Sequence, residues 1–285
     1  MSEQKKVCCV IGDPVSHSFS PVIHELFAKQ SGIGLAYTAF HVLPEGLGDA
    51  IKGASALGIK GINVTVPHKT LVMEHLVSVE PDASAIGAVN TLTLVPGGYA
   101  GSNTDWIGLK AAIESHGCSL AGKKVAVIGA GGSARAACYM AAKANCKEIV
   151  IANRTLEKAE SLRNMARECG CSASACLLDQ IMDFHPFDVA IQTTTVGFGK
   201  NINISPVPPE FFSGLEIAID IIYSPWETEF LRLAKGKCKT ANGFAMLVHQ
   251  AAASFETWFG ESLGSEFLKK AVCELEEKYA RREGL

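Results

Sequence analysis

The residues best placed to do chemistry lie in short polar islands at strand and turn ends. His17-Ser18-Phe19-Ser20-Pro21 sets two hydroxyls two residues apart, just ahead of a helix start. Gly61-Ile62-Asn63-Val64-Thr65-Val66-Pro67-His68-Lys69 puts Asn63 and Thr65 on one face of a strand, with the Lys69 ammonium just past its end. Gly87-Ala88-Val89-Asn90-Thr91 and Gly101-Ser102-Asn103-Thr104-Asp105 each present a polar tip. Hydroxyl, amide, ammonium and carboxylate groups gathered at the carboxyl ends of strands suit a small polyhydroxy acid. They also suit ketone–alcohol interconversion. A cation at hydrogen-bond distance stabilises charge developing on a ketone oxygen, and a proton donor completes the alcohol. Lys69 can do both, and a carboxylate such as Asp105 beside it would orient it. Ser20 reads as the N-cap of the next helix with Pro21 at its first position, which leaves Ser18 without a structural task.

A second chemical signal starts at residue 124. Lys-Val-Ala-Val-Ile reads as a buried parallel strand, and Gly129-Ala130-Gly131-Gly132-Ser133-Ala134 follows it, then an Ala-rich helix. This is the G-x-G-x-x-[G/A] dinucleotide turn in its required setting, strand before and helix after. Gly129 permits the tight turn, Gly131 lets backbone approach a pyrophosphate, and Ala134 lets helix and strand pack closely. An NAD site wants a carboxylate about 20 residues on. The next strand instead ends in Asn153-Arg154-Thr155, with Lys158 close behind. A guanidinium and an ammonium there suit a 2′-phosphate, which favours NADP.

The elements that must position these groups alternate along the chain. Strand-like runs cover 6–11, 36–41, 61–66, 91–95, 124–128, 148–152, 189–193 and 216–220, with helical periods at 21–31, 47–57, 106–116 and 134–144. Such alternation implies βαβ units, parallel sheets and an α/β fold. The chain divides near 104–108, and two helices, 244–258 and 266–282, close it.

Composition narrows the function classes. The chain has 285 residues, 48% apolar and 19% charged, with 26 basic and 29 acidic residues and a net charge of −3. That excludes a disordered chain and gives no basic excess for nucleic acid. No run reaches the roughly 18 apolar residues of a membrane span. The apolar run after Lys5-Lys6 is five residues long, too short for a signal peptide, so it reads as a first strand. Ten cysteines include no Cys-x-x-Cys pair, so no metal site is expected. They read as free thiols in a reducing cytoplasm.

Together and in this order, these motifs resemble the shikimate dehydrogenase family over nearly the whole chain. The matching elements are 17–21, Asn63-Val-Thr-x-Pro-x-Lys69, 87–91, Asn103-Thr-Asp105, 129–135 and Asn153-Arg-Thr155. Asp220-Ile-Ile-Tyr-Ser-Pro225 and the helix carrying Gly243, Met246, Leu247 and Gln250 complete the set. The resemblance implies reversible NADPH-dependent reduction of 3-dehydroshikimate to shikimate, a step of aromatic amino-acid synthesis, by a monomer or homodimer. It implies a substrate domain of residues 1–105 and 243–285 and a Rossmann-type nucleotide domain of 106–242, with the C-terminal helices returning to the first. It makes Lys69 and Asp105 the catalytic pair, and gives Ser18, Ser20, Asn63, Thr65, Asn90, Tyr223 and Gln250 to the substrate. Gly129, Ala130, Gly131, Gly132, Ser133, Asn153, Arg154, Thr155, Lys158, Ile221 and Gly243 would line the NADP site. The chain departs from the family pattern at Phe198, where Met is frequent, and at Ala251, where Gly is common. A quinate/shikimate dehydrogenase using NAD and a non-catalytic ligand sensor on the same fold are the alternatives. Arg154 speaks against the first, and the presence of both Lys69 and Asp105 against the second.

Overall fold

A computed structural model describes residues 5–283. The chain forms two compact units, Met1–Thr104 with Leu247–Leu285, and Asp105–Met246. The first contains β1 (Lys6–Gly12), α1 (Ser20–Ser31), β2 (Leu35–His41), α2 (Leu47–Ala56), β3 (Gly61–Val64), β4 (Ser78–Val79), α3 (Pro81–Ile86), β5 (Thr91–Val95) and β6 (Gly98–Ser102). The second contains α4 (Asp105–Ser115), β7 (Lys124–Ile128), α5 (Gly132–Lys143), β8 (Glu148–Asn153), α6 (Leu156–Glu168), β9 (Ala173–Leu177), β10 (Val189–Gln192), β11 (Ile217–Asp220), α7 (Glu229–Ala234) and β12 (Lys239–Ala241). The chain passes back to the first unit within α8 (Phe244–Phe259) and ends in α9 (Ser265–Glu283).

The first sheet runs β2-β1-β3-β5-β6-β4. It is mixed, which corrects the expectation of parallel sheets. β1 pairs parallel with β2 and β3, but β5 is antiparallel to both β3 and β6. The cause is local. Pro96-Gly97 joins β5 to β6 with Gly97 at φ +89°, and a Pro-Gly pair makes a tight reversal that leaves no room for a crossover helix. One face of this sheet buries Cys9, Ile11, Ile62, Val64 and Leu92 against Leu47 and Ile51 of α2. On α1 and the C-terminal helices, Phe27 packs on Phe255 at 5.9 Å and Phe19 edge-on to Tyr279 at 5.3 Å.

The second sheet is parallel throughout, ordered β12-β11-β10-β7-β8-β9. The period-2 alternation of its strands separates two kinds of face. Val125, Val127, Ile149, Ile151, Val189 and Ile191 fill one side against small residues of α5. The other side is built from Ala126, Ala152, Ala190 and Ala218, and these small groups admit the rings of Phe187, Phe211, Phe212 and Phe230. The strand order reverses between β7 and β10, which opens a crevice at their carboxyl ends.

Candidate functional site

In the first unit the polar islands meet as one buried hydrogen-bonded lattice. Asn90 is the last residue before β5, and the Thr104 backbone N–H donates to its Oδ1 at 2.7 Å. That bond settles which end of the amide is which, because a backbone N–H only donates. Asn90 Nδ2 then donates to Gln250 Oε1 at 3.3 Å, while Gln250 Nε2 donates to the Leu247 carbonyl at 2.8 Å. Ser254, one helical turn beyond Gln250, lies 2.7 Å from the Thr91 hydroxyl and 3.1 Å from that of Thr104. Asn63 Nδ2 donates to Ser254 Oγ at 2.9 Å. Asn63 Oδ1 accepts the Tyr37 hydroxyl at 2.8 Å and His24 Nε2 at 3.2 Å. An amide oxygen can only accept, so His24 carries its proton on Nε2. Burial drives the His24 pKa down to about 3, so the ring is neutral. It stacks on Tyr37 at 4.2 Å and on Trp258 at 5.2 Å. Trp258, a further turn along α8, donates Nε1–H to the Leu92 carbonyl at 2.9 Å. It occupies the volume over Gly61, where a Cβ would come within 2.3 Å of the indole.

The lattice therefore holds Asn63, Asn90 and Gln250 of the expected site, and adds His24, Tyr37, Thr91, Thr104 and Ser254. The added α8 residue had a signal in the sequence: Gln250, Ser254 and Trp258 recur every four residues along the same helix. His24 and Tyr37 had none beyond their type, since their meeting depends on β2 pairing with β1.

Lys69 sits half-buried in the turn after β3, its carbonyl accepting the Val89 N–H at 2.7 Å. His68 before it is buried and donates Nε2–H to the Val42 carbonyl at 2.7 Å, which anchors that turn. Thr65 lies beyond the end of β3, its N–H bonded to the Ile11 carbonyl. The Ser20 N–H donates to Ser18 Oγ at 3.3 Å. Ser20 is not the cap of α1: Phe19 holds that position without a side-chain bond, and Ser20 is the first helical residue. Asp105 opens α4 and is buried.

In the second unit the expected residues cluster at the carboxyl ends of β7, β8 and β11. Gly129 has φ +115°, and a Cβ there would lie 2.5 Å from Thr193 Oγ1. Gly131 caps α5 in extended conformation with nothing within 4 Å of where its Cβ would be. A tight glycine turn, an open cradle and the N–H groups starting α5 at Gly132 and Ser133 fit a pyrophosphate. Ala130 lines the same turn. At the tip of β8, Asn153 Nδ2 donates to the Thr155 carbonyl at 2.9 Å, and Thr155 caps α6. Arg154 and Lys158 are exposed, with no hydrogen bond or ion pair among the described residues. Gly243 donates its N–H to the Ile222 carbonyl at 3.1 Å, and a Cβ there would lie 1.9 Å from the Ile221 carbonyl oxygen, so only glycine fits. Tyr223 packs edge-on to Phe244 at 6.3 Å.

One buried acid in this unit was not among the expected site residues. Asp220 ends β11 with no solvent exposure. The Thr228 hydroxyl donates to its Oδ2 at 2.7 Å and the Ile222 N–H to its Oδ1 at 3.0 Å. Burial raises its pKa to about 7, against the pull of these donors and of the Gln192 amide beside it.

A parallel sheet with its glycine turn at the point of strand reversal, and another unit bearing a lysine and a lattice of amides and hydroxyls, define a two-unit, dinucleotide-dependent dehydrogenase. The comparisons narrow the class. Family models match for the shikimate dehydrogenase substrate binding domain at residues 10–92, shikimate / quinate 5-dehydrogenase at 110–197, and the shikimate 5′-dehydrogenase C-terminal domain at 243–272. The chain is 40% identical over 281 residues to shikimate dehydrogenase (NADP(+)) of Methanocaldococcus jannaschii, covering 96% of this chain and 98% of that one. A crystal structure of a shikimate dehydrogenase in complex with NADP+ matches with a TM-score of 0.85 at 40% identity over 95% of both chains. The Thermus thermophilus shikimate 5-dehydrogenase in complex with NADP(H) and shikimate matches at 0.83 and 32% identity, over 95% of this chain and 99% of that one. This chain belongs to the shikimate dehydrogenase family.

Proposed function

We propose that this chain catalyses the reversible NADPH-dependent reduction of 3-dehydroshikimate to shikimate. The observation that carries the reading is that a member of this family keeps both Lys69 and Asp105, together with an intact glycine turn and a basic tip where a 2′-phosphate would lie. The cofactor supplies the hydride when bound, and the protein's own residues do the rest. Gly129, Ala130, Gly131, Gly132 and Ser133 would hold the pyrophosphate. Asn153, Arg154, Thr155 and Lys158 would take the adenosine end, with Arg154 on the 2′-phosphate. Ile221 and Gly243 would border the nicotinamide. Ser18, Ser20, Thr65, Asn90, Tyr223 and Gln250 would orient the carboxylate and hydroxyls of the substrate. Lys69 would donate a hydrogen bond to the carbonyl oxygen and pass it a proton, with Asp105 orienting the ammonium and the substrate hydroxyl. Asn63, whose amide is engaged by Tyr37, His24 and Ser254, would support the site from behind.

The test is absorbance at 340 nm with shikimate and NADP, and separately with quinate and NAD. Strong signal in the first and little in the second is expected. The reverse pattern would overturn the substrate and cofactor assignment, and silence in both would overturn the enzyme reading.

A further inference from the structure

Asp220 stands out because nothing in the proposed chemistry uses it, yet it holds one loop of the nucleotide unit directly and meets a second through Gln192 and Thr228. The loop after β11 is held through the Ile222 N–H and the Thr228 hydroxyl. The loop after β10 is folded by its neighbour in register, Gln192. Gln192 Oε1 accepts the Thr194 N–H at 2.5 Å, and its Nε2 donates to the Val196 carbonyl at 2.8 Å. The loops also touch: a Cβ at Gly197, which has φ +100°, would lie 3.2 Å from Thr228 Cβ. Ile222, whose N–H Asp220 accepts, is also held through its carbonyl by the Gly243 N–H.

We infer that Asp220 is a positioning residue for the cofactor pocket, its carboxylate fixing together the loops 193–199 and 221–228 that present Ile221 and Tyr223. The inference rests on the reading that Ile221 borders the nicotinamide and Tyr223 the substrate. A carboxylate suits the task because both its oxygens only accept, so hydroxyl, backbone N–H and amide donors can share it. Asparagine would turn its N–H groups toward Thr228, reversing that bond, or toward the Ile222 N–H, losing that one.

No charged group balances Asp220 among the described residues. Gln192 faces it from β10, β12 contributes Ala241 beside Ile219, and Glu229 and Arg232 of α7 pair with each other at 2.6 Å. An uncompensated buried carboxylate destabilises the folded unit. Its presence therefore separates two kinds of role. A residue kept for stability alone would lower the melting temperature when replaced. A positioning residue of this kind would not.

The experiment compares wild type with Asp220→Asn, without cofactor and in NADPH titrations followed by fluorescence. At pH 8 the variant is expected to melt at the same or a higher temperature. It should bind NADPH roughly 10- to 150-fold more weakly, the scale of one lost charge-assisted hydrogen bond, and exchange the amides of 193–199 faster. NADH lacks the 2′-phosphate, so its affinity reads Asp220 without that group's titration. It should weaken below about pH 7 in wild type and lose that dependence in the variant. Unchanged affinity and exchange would overturn the inference, as would a melting temperature that falls in step with affinity. Should Asp220→Asn not fold, Thr228→Val removes one donor and leaves the acid, and unchanged NADPH affinity there overturns the inference equally. Failure of either kind leaves the shikimate assay untouched, so it does not bear on the proposed reaction.

Discussion

The amide-and-hydroxyl lattice of the first unit and the basic tip of β8 in the second are polar in opposite ways. Asn63, Asn90, Thr91, Thr104, Gln250 and Ser254 are all buried, uncharged and bonded to one another. Their geometry is set before any ligand arrives, and each lost member strands a partner away from water. Arg154 and Lys158 are exposed and bonded to nothing described. Their contribution is charge, screened by salt and realised only against a ligand of opposite sign. If the proposed site is right, selectivity for substrate would lie in shape fixed by the fold, and the choice between NADP and NAD would rest on two exposed side chains.

The largest expected effect comes from the charge in the turn after β3. Lys69→Ala should keep the fold and NADPH binding but lower turnover by about 10²–10⁴, the range for a lost acid–base group, or roughly 3–5 kcal/mol of barrier. Single-turnover rates together with NADPH titration measure this, and near-normal turnover would remove Lys69 from the mechanism. Asp105→Asn should also lose turnover. If the two act as one unit, the double variant will be far less impaired than the product of the single losses.

The tip comes next. A charge-assisted hydrogen bond contributes about 1.5–3 kcal/mol, so Arg154→Ala should weaken NADP by roughly 10- to 150-fold. NAD should change little, and so should the melting temperature, because the side chain is exposed. Raising salt should erode the NADP preference of wild type and leave the KM for shikimate nearly flat. Equal losses of NAD and NADP would break the contrast between the two regions.

Ser254→Ala tests the lattice from inside. The Asn63 N–H loses its shortest acceptor, leaving only bonds of 3.4 and 3.5 Å, and the Thr91 hydroxyl loses its shortest contact, a destabilisation of about 1–3 kcal/mol for poorly satisfied buried groups. Urea unfolding reads the loss. KM for shikimate should rise while KM for NADP stays, and a rise in both would mean the lattice does not belong to the substrate side.

How much of this was legible follows from range along the chain. The glycine turn, the Arg154 tip and the helix carrying Gln250 are local patterns, and the structure reproduces the underlying elements almost to the residue: β7 at Lys124–Ile128 and β5 at Thr91–Val95. The Pro96-Gly97 reversal was a readable hairpin signal, and missing it produced the expectation of a parallel first sheet. The lattice could not be read, because Asn63 and Ser254 are 191 residues apart and only the return of α8 brings them together. Asp220 was visible as part of a motif, but its burial depends on α7 and on Thr228 folding back over the sheet. Ser20 is not the cap because the helix begins one residue sooner than the Ser-Pro pattern suggests, with Phe19 at the cap.

The smallest expected effect sets the two units against each other through pH. His24 in the first is held neutral, its pKa depressed from 6.5 to about 3. Stability that depends on the neutral ring is complete above the unfolded pKa, and it is lost as pH falls below about 6.5 because the unfolded chain then binds the proton that the fold refuses. Asp220 in the second is raised from 3.8 to about 7, so the folded unit binds a proton that the unfolded chain does not. Its contribution therefore improves as pH falls from about 7 toward 4. Between pH 6.5 and 5.5 each group shifts stability by about 1 kcal/mol, in opposite directions. A global melting curve would hide this, since the two nearly cancel. Native-state hydrogen exchange resolves the units: after correction for intrinsic rates, β1 and β3 should lose protection as pH falls, while β10 and β11 gain it. His24→Phe, which fills the same stack between Tyr37 and Trp258, should flatten the first response and leave the second. Asp220→Asn should do the reverse. If both units respond with the same sign, the titrating groups lie elsewhere and neither buried residue governs its unit's pH dependence.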